Sequence, residues 1–112
     1  VRNIEALKTR YMQDGLRTRL GGLASNLARI ATCSSGPDDW EAVQSMLEES
    51  KFFIEWAAPE APLSVQAHLV RLQIELALWH RIWPELHTAP EKREKLAQLA
   101  RSESACILAL RE

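Results

Sequence analysis

All five prolines of this 112-residue chain fall in three short gaps. Pro37 lies in Ser34-Ser35-Gly36-Pro37-Asp38, Pro59 and Pro62 lie in Ala58-Pro59-Glu60-Ala61-Pro62, and Pro84 and Pro90 bracket Glu85 to Ala89. Proline has no N–H to donate, and its ring clashes with the preceding turn, so helices tend to stop at it. Between the gaps, apolar residues recur at spacings of three and four, the period of one helix face. The sequence therefore predicts an all-α fold with helices over about 3–33, 38–58, 63–83 and 90–110. Connections of about five residues force neighbouring helices to run antiparallel. The expected architecture is an up-down-up-down four-helix bundle. A chain of this length forms one domain, spanning 1–112, with a single core.

The first segment is the anomaly. Ile4, Leu7, Tyr11, Leu16, Leu20, Leu23, Leu27 and Ile30 make one long stripe, interrupted by Gly15 and by Gly21-Gly22. At 1.5 Å per residue it would run roughly 45 Å, against roughly 30 Å for the others. Either glycine kinks this long first helix, or its first turns overhang the bundle. An overhang would carry Ile4, Leu7, Tyr11 and Met12 into solvent unless a partner covers them. A second stripe of small residues, Gly21, Ala24, Ser25, Ala28 and Thr32, predicts a close helix crossing within the bundle or between subunits.

The third segment is apolar on more than half its circumference. Val65, Leu69, Leu72, Leu76, Trp79 and Trp83 form one face, and Val70, Ile74, Ala77 and Ile82 add another. Such a helix is buried by several neighbours, or carries a docking face. Capping boxes are expected at Asp38 with Glu41 and at Thr88 with Glu91.

Charge is balanced overall, at a net −1, but not along the chain. Residues 1–33 hold six Lys/Arg against two acids, and residues 34–62 hold seven acids against one Lys. Neutralisation between the neighbouring first and second helices accounts for this. A basic docking strip of Arg2, Lys8, Arg10, Arg17, Arg19 and Arg29 is the alternative, but these do not line up on one helix face. A sequence pI near 6.4 argues against nucleic-acid binding by charge. No apolar run reaches the length of a membrane span, and no charged-then-apolar leader is present, so a cytoplasmic protein without membrane contact is expected. Cys33 and Cys106 have neither metal nor redox spacing and are expected as reduced structural thiols.

Little chemistry is visible. Glu-x-x-His, the signature of di-iron bundles, does not occur, and His68 and Glu75 lie two turns apart, too far for one ion. Neither a metal nor a cofactor is expected. His68 is followed by Leu69-Val70-Arg71, unlike the Lys-Gly that follows the histidine of phosphotransfer bundles. There is no Gly-rich phosphate loop and no zinc pattern. The run Arg81-Ile82-Trp83-Pro84-Glu85-Leu86-His87 resembles the Arg-x4-6-His motif of HEPN-type ribonucleases, which are small all-helical dimers. That resemblance covers seven residues and the fold class, and departs from the family at Ile82, usually polar there. It implies a fixed cation, Arg81, and a titrating imidazole, His87, acting on RNA phosphate.

Four of the seven aromatic residues are tryptophan. An antiparallel bundle would gather Trp40, Trp79 and Trp83 at one end and Trp56 at the other. Each cluster is a core plug, a hot spot for a partner, or the wall of a small-ligand pocket. Phe52 lies off the main stripe of its helix, beside Lys51 and Glu55, and points to a partner surface if exposed. The sequence thus favours a non-catalytic helical protein–protein interaction module, an adaptor, assembly or regulatory subunit. Its expected partner is another protein or a second copy in a homodimer. The expected partner-binding residues are Ile4, Leu7, Tyr11, Phe52, Trp56 and Trp83. The alternatives are a HEPN-like RNA-cleaving enzyme using Arg81 and His87, and a small-ligand-binding bundle.

Overall fold

The computed structural model describes residues 3–111. Among them it contains five α-helices and no strand: α1 Ile4–Met12, α2 Leu16–Ser34, α3 Trp40–Ala57, α4 Leu63–Leu86 and α5 Pro90–Leu110. A 3-10 turn, Ala58–Glu60, follows α3. No helix among the described residues is long and apolar enough to cross a membrane.

The expected single helix over 3–33 is two helices. Gln13 closes α1 and Gly15, in extended geometry (φ −70°, ψ 167°), opens α2. Asp14 and Gly15 are poor helix formers, so a break there costs little. It allows α1 to turn back onto α3 instead of overhanging. The turn buries Leu7 and Tyr11, and the Tyr11 ring stacks on Phe53 with centroids 4.0 Å apart and planes 2° from parallel. Burying such side chains stabilises by roughly 1.5–3 kcal/mol each, more than two interrupted helical turns lose. At the other end of α1, the Asn3 side chain accepts the Ala6 N–H at 3.1 Å as an N-cap.

Arg19 locks this corner. It is 3% exposed, though charged. Its Nε donates to the Asp14 carbonyl at 3.0 Å, its Nη1 to the Trp56 carbonyl at 3.2 Å, and its Nη2 to the Glu60 carboxylate. The Tyr11 hydroxyl in turn donates to the Arg19 carbonyl at 2.7 Å. One planar fork thus joins the α1–α2 break to the end of α3, and a buried cation is tolerable only with this many partners.

Gly21 and Gly22 do not interrupt α2. Side chains lie over both: a methyl on Gly22 would sit in ordinary contact, 3.7 Å from Tyr11 Cε1, and one on Gly21 would lie 2.5 Å from Arg111 Nη1, the movable end of that side chain. The most extensive helix contact is that of α2 with α5. Ala24 and Ala31 on α2, and Ala97 and Ala100 on α5, are buried, and the Ser104 hydroxyl donates to the Ala24 carbonyl at 2.8 Å. Small side chains allow that approach, but of the expected small-residue stripe only Gly21 and Ala24 are covered, while Ser25, Ala28 and Thr32 are exposed.

Consecutive long helices run antiparallel. Arg19 meets Trp56 while Asn26 meets Glu49 across α2 and α3. Trp83 Nε1 donates to the Trp40 carbonyl at 2.9 Å, and Gln73 donates to the Lys51 carbonyl at 3.1 Å, across α3 and α4. Arg93 reaches the His87 carbonyl while His68 meets Glu103 across α4 and α5, where contact is narrow. Two boundaries differ from expectation. α4 continues through Pro84 to Leu86, because Pro84 is exposed and water can serve the carbonyl that its ring leaves unpaired. Neither expected capping box forms: α3 opens at Asp39 and α5 at Ala89, both without a side-chain cap.

Candidate interaction surface

The residues expected to meet a partner are mostly spent inside the protomer. Leu7, Tyr11, Trp56 and Trp83 are buried, Trp83 completely. Ile4 and Phe52 are partly buried and pack on the same core. The cause is the fold-back at Gly15, which turns the first apolar turns inward, together with the hydrogen bond that fixes Trp83 to Trp40. Trp79 packs edge-on to Trp83 at 6.4 Å, so the expected Trp40, Trp79 and Trp83 cluster exists as core. Phe52 stacks on Trp56 at 5.5 Å and borders a shallow α3–α4 groove with Lys51, Gln73 and Ala77.

Apart from Met12 and Leu108, the large apolar side chains left exposed among the described residues lie on the outer face of α4. Leu63 is 81% exposed, Val70 49%, Ile74 65% and Leu78 54%. Ala67 and Ala77 lie exposed between them. At 100° per residue these six side chains fall opposite the buried set Val65, Leu69, Leu72, Leu76, Trp79 and Trp83. The helix is therefore apolar on two opposed faces, and the core uses only one. Arg71 and Glu75 flank the outer stripe on one side, and both are exposed. Ala77 also lines the Phe52 groove, so stripe and groove are continuous.

His80 stands at the polar edge of this face. Its Nδ1 lies 3.0 Å from Lys51 Nζ. Its pKa is lowered below 6.5 by burial first and by the Lys51 ammonium second, with Glu48 opposing both. The ring is held neutral, accepting from the lysine.

Arg81 and His87 are not brought together. Arg81 is exposed on the outer side of α4. The His87 ring stacks on Trp40 at 4.3 Å with planes 6° apart, and its carbonyl accepts from Arg93 at 2.9 Å. His87 caps the end of α4 rather than lying in an open loop.

Among the expected basic strip, Arg2 lies outside the described residues and Arg19 is the buried fork above. Arg10 and Arg29 share with Arg111 a wide groove of about 820 Å³ over Gly21 and Gly22. Arg29 donates to Asn26 Oδ1, and Asn26 donates to Glu49 at 2.9 Å, so Arg29 belongs to a polar chain tied to an acid.

One cluster of metal-ligating side chains was invisible within any single helix. His68 on α4 meets Glu103 on α5 with Nε2 and Oε1 2.7 Å apart, and Cys106 lies one turn further along α5. One donor atom from each lies within 4.8 Å of the others. Sequence spacing paired His68 with Glu75 on its own helix. Only the antiparallel α4–α5 register supplies the true neighbours.

No family model, no curated protein and no solved structure matches this chain.

Proposed function

We propose that this chain is a non-catalytic helical interaction module that self-associates through the outer face of α4. The four long helices are read as an up-down-up-down bundle, on the antiparallel pairings described above, with α1 folded against it. The observation that carries the proposal is the exposed stripe Leu63, Ala67, Val70, Ile74, Ala77 and Leu78 on a helix whose core face is already filled.

A second copy suits this stripe. An antiparallel two-fold axis near residues 72 and 73 sets Ala67 opposite Leu78 of the partner subunit, small against large. It also sets Val70 opposite Ile74 of the partner subunit, and Arg71 opposite Glu75 of the partner subunit. Isologous contact of this kind matches both shape and charge to the same patch on each copy. The stripe is about 23 Å long and about 11 Å wide. That is roughly 250 Å² per protomer, below the ~800 Å² per partner of a standard stable interface. The association is accordingly weak and concentration-dependent, and the neighbouring Phe52 groove is the place where a different protein would extend it.

The test is molar mass by light scattering or sedimentation across a concentration series. Mass should rise from 12.7 kDa toward twice that value. Ile74→Glu should hold the chain at monomer mass with its helicity and melting unchanged, because surface substitutions alter stability by only about 0.5 kcal/mol. Arg71→Glu should weaken the dimer, and Arg71→Glu with Glu75→Arg should restore it. Monomer mass at every concentration, or a dimer indifferent to Ile74→Glu, refutes the assignment.

A further inference from the structure

We infer that His68, Glu103 and Cys106 form a binding site for one zinc-class divalent cation, spanning the seam between α4 and α5. The donor set is an imidazole nitrogen, a carboxylate oxygen and a thiolate sulfur. That mixture suits a borderline ion such as Zn²⁺ and is foreign to Mg²⁺ or Ca²⁺, which take oxygen alone. Glu103 and Cys106 are three apart on α5 and share a face, while His68 reaches them from the opposing helix. None of the three is sealed in the core: each is half-buried, with the His68 and Glu103 side chains 18% and 22% exposed. An ion can enter and the side chains can adjust.

The distances are those of an unloaded site. A tetrahedral ion bound at about 2.0–2.3 Å holds its donors roughly 3.3–3.6 Å apart. The His68–Glu103 pair at 2.7 Å has to open slightly, and donors separated by up to 4.8 Å have to close by about an ångström. Rotation of these partly exposed side chains covers both movements. Arg71 Nη2 lies 3.3 Å from His68 Nδ1, so Nδ1 is the acceptor and Nε2 carries the proton toward Glu103. On loading, the ion takes the place of that proton, which the imidazole takes up again at Nδ1 as the exposed Arg71 swings away. The Cys106 thiol releases its proton to solvent. One proton thus leaves per ion bound, and carboxylate plus thiolate neutralise the two positive charges. Three protein donors leave a fourth position for water. Placed across the narrow α4–α5 seam, the ion would clip the two helices together.

The experiment titrates the reduced 112-residue chain with Co²⁺ and follows the thiolate-to-cobalt charge-transfer band and the d–d bands. The expected result is one ion per chain with the intense d–d absorption of four-coordinate cobalt. His68→Gln should weaken binding by more than about 100-fold, beyond what loss of an outer-shell support costs. Cys106→Ser should abolish the charge-transfer band, and Cys33→Ser should leave it intact. A second measurement needs no variant: Zn²⁺ should protect Cys106, and not Cys33, from alkylation as read by mass spectrometry. Absence of a charge-transfer band, a band that depends on Cys33, or equal alkylation of Cys106 with and without Zn²⁺ overturns the site. Neither readout depends on oligomeric state, so failure here is distinct from failure of the α4 interface.

Discussion

The α1 fold-back makes a prediction that one titration can test. Tyr11 is the only tyrosine in the chain, so tyrosinate absorbance reports it alone. In the fold its ring is buried against Phe53, and its hydroxyl donates to the Arg19 carbonyl at 2.7 Å. Burial pushes its pKa well above the ordinary 10.0, and the nearby Arg19 charge only partly offsets this. The unfolded chain therefore gives up its phenolic proton near pH 10 while the folded chain keeps it, so stability falls as pH rises above 10. While the folded value stays above the working pH, the loss is about 1.4 kcal/mol at pH 11 and about 2.7 kcal/mol at pH 12. Tyr11→Phe removes one buried hydrogen bond, at a cost of about 1 kcal/mol near neutrality. It also removes the alkaline loss, so the two stability curves should cross near about pH 10.6. The assay is urea unfolding followed by tryptophan fluorescence at a series of pH values, with tyrosinate absorbance read in parallel. Tyrosinate should appear only as the fold is lost. A smooth titration centred near pH 10 in a protein with native helicity would refute the docking of α1, and with it the burial of Leu7 and Tyr11.

Arg19→Met should destabilise by about 2–3 kcal/mol in urea unfolding, because it orphans the Trp56 and Asp14 carbonyls. Arg19→Lys should recover little, since an ammonium cannot span the positions that the fork reaches. His80 predicts the acid side of the stability profile. Its folded pKa lies below 6.5 while the unfolded ring titrates there, so stability is full above about pH 6.5 and falls as pH drops below it. His80→Gln should flatten that fall when denaturation midpoints of the two proteins are compared between neutral and mildly acidic pH.

Local chemistry made the helices legible and tertiary context hid the rest. The proline gaps at Pro37 and at Pro59 with Pro62 mark real ends of helices, because helix period and missing donors are properties of the local chain. Pro84 misled because what decides its cost is which side of the helix it occupies. Gly15 and Gly21-Gly22 are equivalent by propensity, yet only Gly15 breaks the helix. The closeness of Tyr11 and Arg111 over the pair is a long-range fact. Arg19 carried a usable signal: it sits four residues before Leu23 and next to Leu20, on the apolar face, where a charge needs buried partners. The exposed stripe of α4 was also legible, as a second apolar face on the third segment. Tyr11, Trp56 and Trp83, expected as contact residues, lie in the core, and hydrophobic period alone does not separate a core face from a docking face.

The α4 helix concentrates what this fold adds beyond a core. At 100° per residue, Leu69 and Leu76 define its inward face, Ile74 lies nearly opposite, and His68 sits roughly 120° from Ile74, toward α5. Arg71 borders two of these faces, flanking the outer stripe and reaching His68 Nδ1 at 3.3 Å. The core face is dictated by packing, whereas nothing in the packing requires leucine, valine or isoleucine outward. A polar residue at Leu63, Val70, Ile74 or Leu78 would leave every buried contact in place. An exposed patch of this kind is an aggregation liability for a chain that gains nothing from it. Separate faces also mean separable energies. Ile74 faces outward and His68 faces α5, so the effects of substituting them on stability should add to within about 0.5 kcal/mol. A large coupling between them would mean that the ion and the partner compete for the same rotation of α4, and that the cation regulates assembly.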